Sequence, residues 1–209
     1  MRRFILGLAL LALFLVPPVG PVTLSGTAHA AIVSIEESQG EMVLGKADAP
    51  VTMVEYSSLG CPHCAAFHRD TLPQIKKDYI DTGKVRLVYQ DFPLGTAALA
   101  ASMVARCAGP KKFFGFIEIL FKSQASWAQS QNPMQAITKI ARFGGLSETD
   151  VQSCLKRQPL LESIRKGALA GQETYKINST PSFVIGDTLI SGAEPFEVFK
   201  KALDKALSK

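Results

Sequence analysis

Directly after an apolar run the chain reads Val54-Glu55-Tyr56-Ser57-Ser58-Leu59-Gly60-Cys61-Pro62-His63-Cys64, which sets two cysteines three positions apart. Residues 51–56 are largely apolar and stop at a serine pair, a pattern that predicts a buried strand. The segment from Cys61 to about Tyr79 predicts a helix that Pro73 ends or kinks. The two thiols are therefore expected one helical turn apart, at the start of a helix that follows a strand.

A cysteine at a helix start is activated by its position. Unpaired N–H groups and the positive end of the helix dipole stabilise a thiolate at Cys61, and Pro62 suits the first turn because it has no N–H. A protonated His63 would stabilise the thiolate further. Because a low thiol pKa favours the reduced form, the pair predicts an oxidising disulfide. The alternative is half of a zinc site with His68 as a third ligand, although an ordinary helix position is the interpretation we favour for His68.

The other segments predict an α/β fold interrupted by helices. Residues 85–90 alternate and predict a second strand, which completes a right-handed βαβ unit within 51–95. Residues 96–177 predict a helical insertion, with helices over 97–108, 112–127, 134–143, 147–156 and 159–175. Residues 178–209 predict a ββα ending, with strands over 182–185 and 189–191 and a helix over 195–207. Residues 31–50 predict a polar, loosely ordered lead-in with a short strand over 42–44.

Several of these stretches resemble one known family. The stretch from Val54 to Cys64 looks like the active-site region of the DsbA-like thiol:disulfide oxidoreductases, and residues 44–52 look like their entry strand. Ser179-Thr180-Pro181-Ser182-Phe183 resembles the loop that presents a cis-proline in thioredoxin folds, and residues 189–193 resemble the final strand. The similarity spans nearly the whole chain after residue 30. It implies a thioredoxin fold with an inserted helical domain.

The resemblance implies roles within the Cys-x-x-Cys motif and behind it. Cys61 would be the nucleophile that forms a mixed disulfide, and Cys64 the buried resolving thiol, with Pro62 and His63 between them. Glu55 would be a buried carboxylate that passes a proton to or from Cys64; the alternative is an ordinary carboxylate at the end of a strand.

The resemblance also implies that Pro181 follows a cis bond and packs against the disulfide, with Thr180 beside it. The chain departs from the family prototype at two positions. Gly60 replaces an aromatic residue, and Thr180 replaces a valine. Both positions shape the choice of redox partner.

Two further cysteines, Cys107 and Cys154, lie on predicted helices of the insertion. Four cysteines in an oxidising compartment predict two pairs, and these two form the distant one. We expect a structural disulfide that closes a long loop and contributes about 4 kcal/mol.

The first 30 residues predict an export signal. Arg2 and Arg3 precede an apolar run from Phe4 to Val16, and Ala28-His29-Ala30 supplies a cleavage pattern, so we expect cleavage after Ala30 and a periplasmic protein. A membrane anchor is the alternative, but the run is shorter than the roughly 20 residues that span a bilayer. We therefore expect no stable membrane insertion after signal removal.

The net charge of the chain does not identify a binding partner. The net charge is +5 for 209 residues, and removal of the two arginines in the signal leaves +3, with no basic run interleaved with aromatics. We expect no nucleic-acid partner, no cofactor and no bound metal. The expected partners are newly exported polypeptides and a DsbB-like membrane protein that reoxidises the pair. The predicted function is catalysis of disulfide formation, with a periplasmic isomerase or reductase, or a copper-handling protein, as alternatives.

Overall fold

Strand β2 (Val51–Ser57) lies at the centre of a five-stranded mixed sheet in the computed structural model, which describes residues 32–209. It pairs in parallel with β3 (Val85–Asp91) and antiparallel with β4 (Ser182–Ile185). The edges are β1 (Met42–Leu44), antiparallel to β3, and β5 (Thr188–Ser191), antiparallel to β4. The order β1-β3-β2-β4-β5 confirms the predicted thioredoxin fold, with its βαβ and ββα parts joined in one sheet.

Helices cover both faces of this sheet. Outside the insertion they are α1 (Ile35–Gln39), α2 (Pro62–Ala66), α3 (Leu72–Ile75) and α10 (Phe196–Leu207). Within the insertion they are α4 (Thr96–Cys107), α5 (Pro110–Lys122), α6 (Gln124–Ala128), α7 (Pro133–Phe143), α8 (Glu148–Leu155) and α9 (Gln158–Tyr175). No helix within residues 32–209 is both long and apolar enough to cross a bilayer.

The helix predicted after Cys61 is broken earlier than Pro73. Two π-helical turns, Phe67–Thr71 and Lys76–Ile80, flank α3. Pro73 stands in the first turn of α3, where it cannot donate a hydrogen bond back to residue 69. The preceding π turn absorbs this lost bond by lengthening the hydrogen-bond register, so the disturbance falls before the proline.

The prediction of a loosely ordered lead-in was wrong. Ser34 and Glu37 form a capping box that starts α1: the Glu37 N–H donates to Ser34 Oγ (3.1 Å), and the Ser34 N–H donates to Glu37 Oε2 (3.2 Å). The short strand predicted over 42–44 is present as β1. The signal predicted over residues 1–30 lies outside the described residues.

One helix predicted over 112–127 is two helices in the structure. α5 ends at Lys122 and α6 begins at Gln124. Between them the Ser123 hydroxyl donates to the Ile119 carbonyl at 2.6 Å, four residues back. A serine that binds the backbone in this way competes with regular helix geometry, and sequence periodicity does not reveal it.

The alternation of β2 directs Met53 and Glu55 to the sheet face that α2, α3 and α10 cover. There the rings of Phe67, Phe183 and Phe199 pack with centroids 4.4–5.3 Å apart. Full burial of such a ring contributes about 1.5–3 kcal/mol. Helix α9 covers the opposite face. This packing places the start of α2 at the carboxyl end of β2, and Glu55 beneath it.

Candidate active site

Cys61 is the N-cap residue of α2. Its backbone is extended (φ −88°, ψ 120°), and Pro62 occupies the first helical turn, where no N–H is needed. The residue is only 7% exposed, whereas Pro62 and His63 are exposed. The Cys61 thiol donates to the carbonyl oxygen of Thr180 at 3.2 Å. The first cysteine is therefore almost buried, between the helix start and the loop before β4.

The surroundings of Cys61 favour its thiolate. A hydrogen bond from the Cys64 thiol lowers the pKa of Cys61 most, and burial opposes this. The Thr180 side chain and the backbone N–H groups of Cys64 and His63 lower the pKa further, to about 5. The helix start thus lowers the pKa of Cys61, as the sequence predicted, but the largest lowering comes from Cys64.

Cys64 has the opposite character. It is fully buried, and its sulfur accepts a hydrogen bond from the Ser58 N–H at 3.5 Å. Burial raises the pKa of Cys64, the hydrogen bond to Cys61 raises it further, and the negative charge of Glu55 does so too. The pair therefore combines a nearly buried thiol that ionises readily with a fully buried thiol that holds its proton.

Glu55 is completely buried and contacts His68, for which the sequence favours only an ordinary helix position. His68 Nε2 lies 2.9 Å from Glu55 Oε1 and 3.1 Å from Oε2, and the His68 side chain is 8% exposed. Sequence reasoning missed this pair because no local pattern joins a strand residue to one in the following helix. The available signal was that His68 lies four residues after Cys64, on the same helical face.

The loop before β4 forms the other wall. The Thr180–Pro181 peptide bond is cis, as the sequence predicted, and both residues are buried. The Pro181 carbonyl accepts a hydrogen bond from the Gly192 N–H at 2.8 Å, which ties the loop to the end of β5. The Thr180 hydroxyl is buried and has no hydrogen-bond partner within residues 32–209, so its O–H is available to the Cys61 sulfur.

A buried glutamine of the insertion fixes the active-site loop. The Gln124 side-chain amide donates to the carbonyl oxygens of Leu59 (2.7 Å) and Cys61 (3.0 Å). This residue was absent from the sequence predictions, because a glutamine on a helix carries no recognisable pattern. It links the inserted helices directly to the Cys-x-x-Cys motif.

Cys107 and Cys154 are joined by a disulfide between α4 and α8, which is the pairing that the sequence predicted. Their Cα atoms are 6.1 Å apart, and the bridge is buried with Met103, Leu160 and Ile164. It lies in a core cluster separate from the one that contains Cys61. Its surroundings suit a structural link.

The zinc-site alternative would bring His68 together with Cys61 and Cys64 as ligands. Within residues 32–209 no group of three or more His, Cys, Asp or Glu side chains converges as a metal site. His68, the proposed third ligand, directs Nε2 at Glu55.

Comparison with known proteins agrees with this geometry. The family model described as thioredoxin matches residues 37–205. A Rickettsia typhi protein named as a protein-disulfide oxidoreductase is 32% identical over 182 residues, which cover 87% of this chain and 67% of that one. Disulfide bond formation protein D of Bacillus subtilis is 30% identical over 182 residues, which cover 81% of this chain and 78% of that one.

Solved structures show the same likeness. Wolbachia pipientis alpha-DsbA1 superimposes with a TM-score of 0.75 at 28% identity, covering 81% of this chain and 92% of that one. Oxidised BdbD from Bacillus subtilis gives 0.74 at 27% identity, covering 86% and 97%. Fold and site together define a thiol:disulfide oxidoreductase with the thioredoxin fold. The chain belongs to the DsbA-like family of these enzymes.

Proposed function

We propose that this enzyme is an exported dithiol oxidase that donates the Cys61–Cys64 disulfide to newly exported polypeptides. The observation that supports the oxidase direction is the contrast between the two sulfurs. A pKa of about 5 at Cys61 stabilises the reduced form as a thiolate at neutral pH. Because the reduced form is stabilised, the disulfide is a strong electron acceptor.

The reaction runs in two exchanges. A substrate thiolate attacks the Cys61 sulfur, the Cys61–Cys64 bond breaks, and Cys64 leaves as a thiolate that takes up a proton. A second substrate thiolate then attacks the substrate sulfur of the mixed disulfide, and Cys61 leaves as a thiolate. The substrate gains a disulfide and loses two electrons, and the enzyme becomes a dithiol. Departure of Cys61 is favourable because its thiolate is the stabilised one.

The surrounding residues have proposed roles in these steps. Glu55 supplies the proton that Cys64 needs, because it is a carboxyl group buried beside a thiol that resists ionisation. Pro62 and His63 are exposed at the helix start, where a substrate approaches Cys61. The Thr180–Pro181 loop forms the wall against which the mixed disulfide lies.

The proposed location is the periplasm, reached through a signal that is removed after Ala30, and the proposed reoxidant is a DsbB-like membrane protein. Mass analysis of the protein recovered from the periplasm of an expressing host tests the proposed location and cleavage site. We expect a mature chain that begins at Ala31. A chain that retains residues 1–30, or remains in the cytoplasm, would contradict it.

Oxidation of a reduced two-cysteine peptide tests the activity. The oxidised protein should convert the peptide to its disulfide, and Cys61→Ser should abolish this. Cys107→Ala with Cys154→Ala is the matched control, because it removes two cysteines yet keeps the redox pair, and it should remain active. Failure of the wild-type protein to oxidise the peptide, or better turnover on a scrambled disulfide substrate than on a reduced one, would favour the isomerase or reductase alternative.

A further inference from the structure

Within the described residues, no part of the Glu55 side chain reaches the solvent-accessible surface. It is completely buried, and within residues 32–209 the only side chain that makes a hydrogen bond or ion pair with it is His68. One imidazole nitrogen, Nε2, lies within hydrogen-bond distance of both carboxylate oxygens. If Glu55 delivers a proton to Cys64 it must be reprotonated, and among the described residues the contact with His68 is the hydrogen bond through which that proton can arrive.

The far side of His68 opens toward solvent. Its ring lines a cavity of about 520 Å³ between the helical segment after Cys61 and α5. Charged side chains at this cavity are 46–74% exposed, so its rim is hydrated; they are Arg69, Lys76, Glu118 and Lys122. The second ring nitrogen, Nδ1, has no hydrogen-bond partner in the described part of the chain. His68 thus lies between the buried Glu55 carboxyl group and a cavity whose rim carries exposed charged side chains.

We propose that His68 is a positioning residue that carries protons between this cavity and Glu55, and so controls the protonation of Cys64. This inference rests on the proposed function. When the Cys61–Cys64 bond breaks, the Cys64 thiolate takes a proton from the Glu55 carboxyl group. The Glu55 carboxylate then takes the Nε2 proton of His68 while Nδ1 accepts a proton from water, so the imidazole ring ends neutral with its proton on the other nitrogen. In reoxidation the same path carries the Cys64 proton outward.

The neighbours of His68 fit this role. Phe121 of α5 stacks on the ring at 4.4 Å between centroids, and Phe67 packs edge-on at 5.6 Å, which hold its orientation. Tyr89 of β3 lies at 6.3 Å, and burial raises its pKa well above the ordinary value, so it remains protonated. The facing groups that carry or gain charge are Glu55 and Cys64 from within, and Arg69, Lys76, Glu118 and Lys122 at the rim. Water screens the rim charges, so Glu55 is the charge that acts on His68 most strongly.

The test is the pH dependence of disulfide reduction in His68→Gln. Glutamine can still donate an N–H to Glu55, but it cannot gain or lose a proton. Oxidised protein is mixed with dithiothreitol, quenched with acid and analysed by mass, and each rate is divided by the thiolate concentration of the reductant. We expect the corrected rate of the wild-type protein to depend on pH, because each reduction draws a proton along this path. His68→Gln should lose this pH dependence and react about tenfold more slowly, less than the 10²–10⁴-fold loss typical of a general acid in direct contact.

Two comparisons make the result specific. Glu118→Gln removes a titrating group from the same cavity without touching Glu55, and it should keep the wild-type profile. His68→Ala enlarges the cavity, and added imidazole should restore much of the rate. Pyrazole, a ring of the same size but a far weaker base, should not.

The outcomes separate the two claims. A wild-type pH profile in His68→Gln, or equal rescue by pyrazole, would overturn the role of His68 while leaving the oxidase intact. Absence of thiol–disulfide exchange in the wild-type protein itself would instead refute the proposed function.

Discussion

Acidification should remove most of the stability that the reduced protein gains from the Cys61 thiolate. The pKa of this thiol is lowered from an ordinary value of 9.0 to about 5 in the fold. A folded-state pKa below the unfolded value stabilises the protein fully above pH 9, and this contribution disappears as the pH falls through 5. At pH 7 two pH units separate the solution from the folded pKa, which corresponds to about 3 kcal/mol, and at pH 5 less than about 0.5 kcal/mol remains.

The assay compares reduced wild-type protein with reduced Cys61→Ser. Denaturant unfolding at several pH values gives the free energy of unfolding of each, and their difference cancels the titration of all other groups. The difference should fall by about 2–3 kcal/mol between pH 7 and pH 5. A difference that stays constant over this range, or a Cys61 thiolate absorbance that titrates near 9, would refute the reasoning.

Two substitutions of Cys64 give a second test of what lowers the pKa of Cys61. Because the Cys64 thiol is the largest stabiliser of the Cys61 thiolate, the variant used to isolate Cys61 affects the result. Cys64→Ser keeps a donor O–H and should leave the pKa of Cys61 low. Cys64→Ala removes the donor and should raise that pKa. Equal pKa values in the two variants would show that the helix start alone sets the acidity.

Three further outcomes follow from the same contacts. Cys107→Ala with Cys154→Ala should lower the free energy of unfolding by about 4 kcal/mol, since the bridge closes a separation of 47 residues, and should leave peptide oxidation unchanged; loss of turnover would contradict a structural role. Thr180→Val removes a hydroxyl beside the sulfur, so ultraviolet titration should show a higher pKa for Cys61; an unchanged or lower pKa would count against this contribution. Pro181→Ala adds a backbone N–H beside the Cys61 sulfur and should slow release of the mixed disulfide, so that trapped substrate accumulates in non-reducing gels. Release at the wild-type rate would contradict the proposed contact between the Thr180–Pro181 loop and the mixed disulfide.

Sequence reasoning found the features that local chemistry encodes. The Cys-x-x-Cys spacing, the apolar strand before it and the Thr180-Pro181 pair each carry a recognisable pattern, and the structure places all three together. The acidity of Cys61 was expected from the helix start, yet its largest cause is Cys64, one turn further on. Spacing can predict that the two thiols are neighbours, but not that one hydrogen-bonds to the other.

The missed residues are those whose role depends on tertiary packing. Gln124 reaches two carbonyl groups more than 60 residues away, and His68 meets Glu55 only because the helix folds back over β2. Arg106 forms a buried ion pair with Asp91, and no local sequence pattern predicts it. A polar side chain on a helix looks the same in sequence whether it faces water or closes a buried network.

The central claim is that the Cys61–Cys64 disulfide is a strong oxidant because the reduced form is stabilised as a thiolate. Its most direct test is the reduction potential of this pair, measured by equilibration with reduced and oxidised glutathione in the Cys107→Ala, Cys154→Ala background, so that one dithiol is titrated. We predict a value near the potential of DsbA, about −120 mV, at neutral pH. A value near that of thioredoxin, about −270 mV, would contradict the account and identify the protein as a reductase.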